Sequence, residues 1–230
     1  KTVQLFLSIF VLLILSACAG TPQKPIEMDQ GYWQKSDRKT GVLVAELPVL
    51  DVHIYGASCL LCYLAAEAAL EKLSDHVETL KQDGLADIKN RIAKEFEKDG
   101  VNLKVINETM VIKNMPENNN KIDNSSPIDF SRYKSEHGLS HLIVIEYNSL
   151  GMHRTYSSYF PTSDPKAVFN AKVYIVNLES NTYDSFLPIE LYKSAGETWD
   201  EPPSFPSLTN AYYQVLEEGK DQIVNFVSAK

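Results

Sequence analysis

The sequence predicts an α/β (α+β) domain in which a mixed sheet carries helices packed on it in two layers, with the element order β-α-β-α-β-β-β-α. Three observations predict it. Two stretches, 65–80 and 208–227, place apolar residues at three-and-four spacing. Short apolar or alternating runs at 41–48, 101–105, 141–146, 167–178 and 183–191 have the length and pattern of strands. Clusters of Gly, Pro, Asn and Ser separate these segments.

Taken in order, Gly41-Val-Leu-Val-Ala-Glu-Leu-Pro48 is a short apolar run that ends at a proline, as a buried first strand does, and 49–55 extends it past a bulge. In 65–80, Ala66, Ala69, Leu70, Leu73, Val77 and Leu80 share one helical face. Leu85, Ile88, Ile92 and Phe96 repeat that spacing after Gly84, and Gly100 stops the run where a left-handed cap is wanted. Val101, Leu103 and Val105 alternate with polar residues, which predicts a half-buried strand. Residues 114–127 are rich in Asn, Ser and Pro without hydrophobic period and predict a mobile loop. A short helix over 129–137 precedes Gly138 and the buried central strand that starts at His141. Asn181 and Thr182 turn the strand 167–178 into the strand 183–191, and 208–227 closes the domain as a helix packed across the sheet.

The N-terminus speaks of location. Lys1, the apolar run from Val3 to Leu15 and the small residues before Cys18 have the three-part layout of a secretory signal, too short for a comfortable membrane span. Leu15-Ser16-Ala17-Cys18 resembles the bacterial lipobox, in which the cysteine is acylated and becomes the first mature residue. The expected division is therefore 1–17 lipoprotein signal peptide, 18–40 lipidated N-terminus and tether, and 41–230 a single α/β periplasmic domain, with an initiator Met preceding Lys1. Acyl chains contribute about 0.8 kcal/mol per buried methylene, so lipid on Cys18 is an effective anchor. By resemblance to the enterobacterial sorting rule, Ala19 after the cysteine implies the outer membrane, facing the periplasm.

Composition narrows the function. A net charge of −8 makes nucleic acid an unfavourable partner and disfavours anionic lipid head groups. No repeat of solenoid or propeller period occurs. With Cys18 assigned to lipid, Cys59 and Cys62 form a pair in an oxidising compartment.

The lipobox, Gly100-Val101, Gly138-Leu-Ser-His-Leu-Ile-Val-Ile145 and Val173-Tyr-Ile-Val-Asn-Leu-Glu-Ser-Asn-Thr182, in this element order, together resemble the envelope lipoproteins. That group includes the curli-secretion channel lipoprotein, the Pel-polysaccharide export lipoprotein and the penicillin-binding-protein activator lipoproteins. The resemblance spans 42–227. It implies a small α/β domain used for assembly or docking at the outer membrane, with no chemistry of its own. Residues 55–63, with the cysteine pair, have no counterpart in that pattern.

Several motifs carry candidate chemistry. Cys59-Leu-Leu-Cys62 just before a helix suits a local disulfide or two buried thiols. It also suits a redox pair, because a helix N-terminus favours thiolate, or a metal site completed by His53 and His76. His137 and His141 are four apart, but Gly138 breaks the helix between them. Asp200 and Glu201 beside Pro202-Pro203 read as a solvated loop, and neither a Gly-x-Ser-x-Gly elbow nor a phosphate-cradling glycine loop is present. Met152, Arg154, Tyr156, Tyr159 and Phe160 lie in a stretch expected to project between two strands, and Trp199 and Phe205 lie in a second, proline-stiffened one. Such residues are enriched at protein interfaces. The resulting expectation is a lipid-anchored, non-catalytic envelope protein without cofactor or metal, which binds another envelope protein or its own copies. The alternative is a thiol-redox or metal-binding envelope protein using Cys59 and Cys62.

Overall fold

A computed structural model describes residues 22–34, 38–120 and 122–228. It is an α/β structure, a seven-stranded mixed sheet with helices packed on it. The strands are β1 (Thr40–Val44), β2 (Asp51–Tyr55), β3 (Lys104–Val105), β4 (His141–Ser157), β5 (Phe160–Pro161), β6 (Lys166–Asn177) and β7 (Thr182–Ser194). The helices are α1 (Leu60–Thr79), α2 (Ile88–Lys98), α3 (Ser131–His137) and α4 (Pro206–Val227). Among the described residues, no helix is long and apolar enough to cross a membrane.

The 17-residue β4 organises the sheet, whose order is β3-β1-β4-β6-β7. One edge of β4 is covered in succession by two parallel strands. β1 pairs over His141–Ile145 and β2 over Gly151–Thr155. Residues 41–55 are thus two separate strands rather than one strand with a bulge, because Pro48 and the residues around it step along β4 before pairing resumes. The other edge pairs antiparallel with β6, which pairs in turn with β7. Both of these strands are long; β6 is largely apolar and buried, whereas β7 mixes apolar and polar residues.

One face of the sheet carries α1, α2 and α4. Ile143, Ile145, Leu150, Met152, Phe169, Val173 and Ile175 meet Leu70, Leu73 and Val77 of α1, Ile92 and Phe96 of α2, and Tyr212, Val215, Leu216 and Ile223 of α4 in one core. On the opposite face a smaller core of Leu43, Leu142, Val144, Tyr174 and Val176 is covered by Tyr133 of α3 with Phe130 and Met110. Glycine acts at one close crossing. An ideal Cβ on Gly219 of α4 would lie 2.5 Å from Cδ1 and Cζ of Phe169, so helix and sheet approach here only because a side chain is missing.

Two segments differ from the sequence reading. Within 18–40, expected as a tether, residues 22–34 lie on the domain. Ile26 exchanges backbone hydrogen bonds with Phe186 at 2.8 and 3.0 Å. Tyr32 is buried, and Trp33 packs edge-on to Phe96 at 4.6 Å and donates from Nε1 to the Val227 carbonyl at 2.8 Å. A few large apolar groups in a polar stretch suffice to dock it. Cys18 and the expected signal peptide lie outside the described residues. Residues 114–127, expected as a mobile loop, are tied down by bridges from Glu117 to Ile128 and Ser125 to Thr182. The Asn181 side chain accepts from Phe130 N at 3.0 Å and donates to the Ile128 carbonyl at 2.7 Å.

Candidate functional site

At the far end of β4 the chain departs from ordinary globular burial. β2 ends at Tyr55 and turns through Gly56, whose φ of +80° favours glycine and where a Cβ would collide with the Tyr156 carbonyl. The β4–β5 hairpin clasps this turn. Ser158 N donates to the Gly56 carbonyl at 3.1 Å, and the Ser58 and Ser158 hydroxyls are 3.2 Å apart. Two segments a hundred residues apart in sequence thereby form one end of the molecule.

Cys59 and Cys62 are joined as a disulfide across the first turn of α1. Cys59 is the N-cap, and its Sγ accepts the Cys62 backbone N–H at 2.9 Å. A sulfur bonded in this way has no proton to give, so in the 3.7 Å contact between Cys59 Sγ and Tyr159 Oη the phenol donates. The two sulfurs are unequal, since Cys62 is 2% exposed in the core while Cys59 faces solvent. A disulfide leaves neither sulfur as a thiolate ligand, and the histidines named with the pair are engaged elsewhere. His53 Nε2 lies 3.2 Å from the Leu150 carbonyl and His76 Nε2 lies 2.7 Å from Thr209 Oγ1. Among the described residues, no group of three or more His, Cys, Asp and Glu side chains is arranged to hold a metal ion.

Around the disulfide stand large apolar side chains that the described residues leave exposed. Leu60 and Phe160 are each 75% exposed, Leu61 67%, Tyr159 52% and Leu64 49%. Neither 52–66 nor 155–163 contains Asp, Glu, Lys or Arg. This end is an uncharged apolar tip, the kind of exposed patch that marks an interaction site. A sequence signal for its helical part existed. At about 100° per residue, Leu60, Leu61 and Leu64 fall on the side of α1 opposite the buried stripe of Cys62, Ala66, Leu70, Leu73 and Val77.

The aromatic stretch 152–161 divides. Met152 is fully buried and Tyr156 is 7% exposed, so neither serves as the exposed interface residue its sequence context suggested. The physical reason is that β4 continues to Ser157, with β2 and β6 pairing on its two sides. Side chains that point to the helical face therefore join the core. Of Met152, Arg154, Tyr156, Tyr159 and Phe160, the two at the turn, Tyr159 and Phe160, are the exposed ones. Arg154 stays with the sheet, its Nε donating to the Ser163 carbonyl at 2.9 Å and its guanidinium 5.0 Å from the Trp199 ring.

Trp199 and Phe205 are half-buried and stack parallel at 6.2 Å. They line an open groove of about 880 Å³ between residues 68–79 of α1 and the loop 199–205. His76 lies 5.4 Å from Phe205, and burial lowers its pKa from the ordinary value. His137 and His141 separate: His137 stacks on Tyr133, whereas His141 Nε2 lies 3.2 Å from Asp184. Asp184 also accepts from Tyr32 Oη at 2.8 Å, so this polar cluster fixes the N-terminal segment. Burial pushes the Asp184 carboxyl up, but hydrogen bonds from His141 and Tyr32 and the nearby Arg38 charge outweigh it and hold the pKa below 3.8.

No protein-family model and no curated protein matches this chain. Several solved structures are similar at low identity. One is protein XCC0632 of Xanthomonas campestris, with 9% identity, 90% of this chain and 91% of that one covered, and a TM-score of 0.40. A second is a PelC dodecamer from Paraburkholderia phytofirmans, with 5% identity, 90% and 96% covered, and a TM-score of 0.34. A third is lipoprotein GNA1162 of Neisseria meningitidis, with 11% identity, 81% and 99% covered, and a TM-score of 0.28.

Proposed function

We propose that this chain is a lipid-anchored docking protein of the bacterial envelope, held by acylated Cys18 at the outer membrane, facing the periplasm, and engaging a partner protein through the tip around Leu60, Leu61, Leu64, Tyr159 and Phe160. The observation that carries the reading is the convergence of exposed leucines and aromatics from two distant segments, neither of which contains a formal charge. Leaving such groups in water forgoes roughly 1.5–3 kcal/mol for each side chain that a partner would bury. Their work is docking rather than chemistry of the kind that paired carboxylates or a nucleophile and base perform. No cofactor is called for. The lipobox motif supports the anchor, and the signal-like residues before it support export.

The test is crosslinking in cells that carry the full-length protein with a photoreactive residue in place of Leu61. Docking predicts discrete crosslinked bands that are lost when Phe160→Asp is added. Bands unchanged by Phe160→Asp, or no band from this site while surface sites elsewhere give them, would remove the tip as the docking surface.

A further inference from the structure

We infer that the tip is also a thiol–disulfide exchange site, in which Cys59 accepts attack from a cysteine on a docked apolar protein segment and Cys62 is the leaving sulfur. This rests on the docking reading, since the apolar collar is what brings the partner's cysteine to the bond.

Four features of the geometry point there. The two sulfurs are differentiated by access: Cys59 faces solvent, whereas Cys62 is 2% exposed beneath the first turn of α1. An attacking thiolate needs a path in line with the S–S bond, and only the outer sulfur offers one. The outer sulfur is the N-cap of a 20-residue helix and takes the Cys62 N–H at 2.9 Å, so negative charge released on it meets a hydrogen-bond donor and the positive helix end. The Tyr159 phenol, from the other segment of the tip, stands 3.7 Å from the same atom and is a second donor to it. Finally, the collar of Leu60, Leu61, Leu64 and Phe160 is exposed, uncharged and placed around the reactive atom. A disulfide kept only as a staple needs neither the collar nor an accessible sulfur.

The exchange balances with a protein dithiol as co-reactant. The partner's thiol gives up its proton and the thiolate forms a bond to Cys59 Sγ, the Cys59–Cys62 bond breaks, and the electron pair leaves on Cys62 Sγ, whose uptake of one proton balances the one the partner released. The partner's second thiol then attacks its own sulfur in the mixed disulfide and expels Cys59 as thiolate. The partner loses two electrons and becomes a disulfide, and the Cys59–Cys62 pair gains them. Each docking event consumes one bond, so exchange adds a covalent step to docking.

The experiment uses the full-length protein in mild detergent, with reduced glutathione as the probe. The folded protein is incubated with millimolar glutathione without denaturant, quenched in acid and mapped by peptide mass spectrometry. The expected result is opening of the bond, with glutathione on Cys59 and none on Cys62. In Cys62→Ser, iodoacetamide is expected to alkylate Cys59 about two- to threefold faster than free cysteine at neutral pH. Adding Tyr159→Phe should reduce that rate while circular dichroism stays unchanged. A bond that glutathione opens only after urea, or glutathione found on Cys62, overturns the proposal and leaves an inert staple. Either finding leaves docking intact, because docking is read by crosslinking at Leu61, which needs no thiol chemistry.

Discussion

Gly219→Ala sets two opposing effects of known sign against each other. In an exposed helix interior, replacing Gly by Ala stabilises by about 1 kcal/mol, because the unfolded chain has less backbone freedom to lose. In α4 the new methyl would stand 2.5 Å from Cδ1 and Cζ of Phe169, where ordinary carbon contacts lie at about 3.5–4.0 Å. Something must therefore yield by about 1 Å. The Phe169 ring has nowhere to go, being fully buried, edge-on to Tyr147 at 5.7 Å and flanked by Leu150 and Leu191 on the paired strands. Overpacking of this kind costs about 1–3 kcal/mol, and the size of the overlap puts it at the upper end. The expected net result is destabilisation by about 1–2 kcal/mol. For a domain of this size that lowers Tm by about 2–8 °C. Urea unfolding followed by circular dichroism reads the change as a lower midpoint with an unchanged slope. Combining Gly219→Ala with Phe169→Leu should give a double variant more stable than the sum of the two single effects, since the smaller side chain admits the methyl. A rise in Tm for Gly219→Ala alone, or strict additivity, would refute the argument that α4 meets the sheet through this glycine.

Leu61→Asp and Phe160→Asp should each change stability by less than about 0.5 kcal/mol, because both side chains already stand in water in the folded chain; equal losses of Tm and of crosslinking would show instead that they support the fold. The His153 imidazole, which burial, His53 and Lys166 hold below the ordinary 6.5, favours its neutral form in the folded state. Its contribution is complete above the unfolded value and is lost as pH falls through the folded one, so stability should decline below about pH 6.5 and His153→Gln should flatten that limb. The Asp184 carboxylate behaves likewise at lower pH. Its stabilising contribution is present above 3.8 and is lost as pH falls through the lowered folded value, and Asp184→Asn should remove that acid-sensitive step. Trp33→Ala should cost about 2–4 kcal/mol through lost packing on Phe96 and the lost bond to Val227, whereas a true tether residue would cost nothing.

Much of this protein is written locally. The stripe Ala66, Leu70, Leu73 and Val77, the apolar run from His141 and the alternation before Asn181 each follow from residue spacing alone, and with them the α/β class and most of the element order. The lipobox motif and the cysteine pair are likewise visible in sequence, because each is a contiguous word. What the spacing could not supply was which strand lies beside which over the length of β4. That pairing makes Met152 and Tyr156 core residues and leaves Tyr159 and Phe160 at a turn. It also brings the 158–160 hairpin against 56–61, so that two segments far apart in sequence become one apolar tip around an exposed sulfur. Helix and strand periods are set within a few residues of the chain, whereas exposure is set by neighbours far along it. The docking of Trp33 onto Phe96 and the cover left off Leu60 and Leu61 are therefore properties of the packed molecule, decided only when distant segments compete for the same apolar surface.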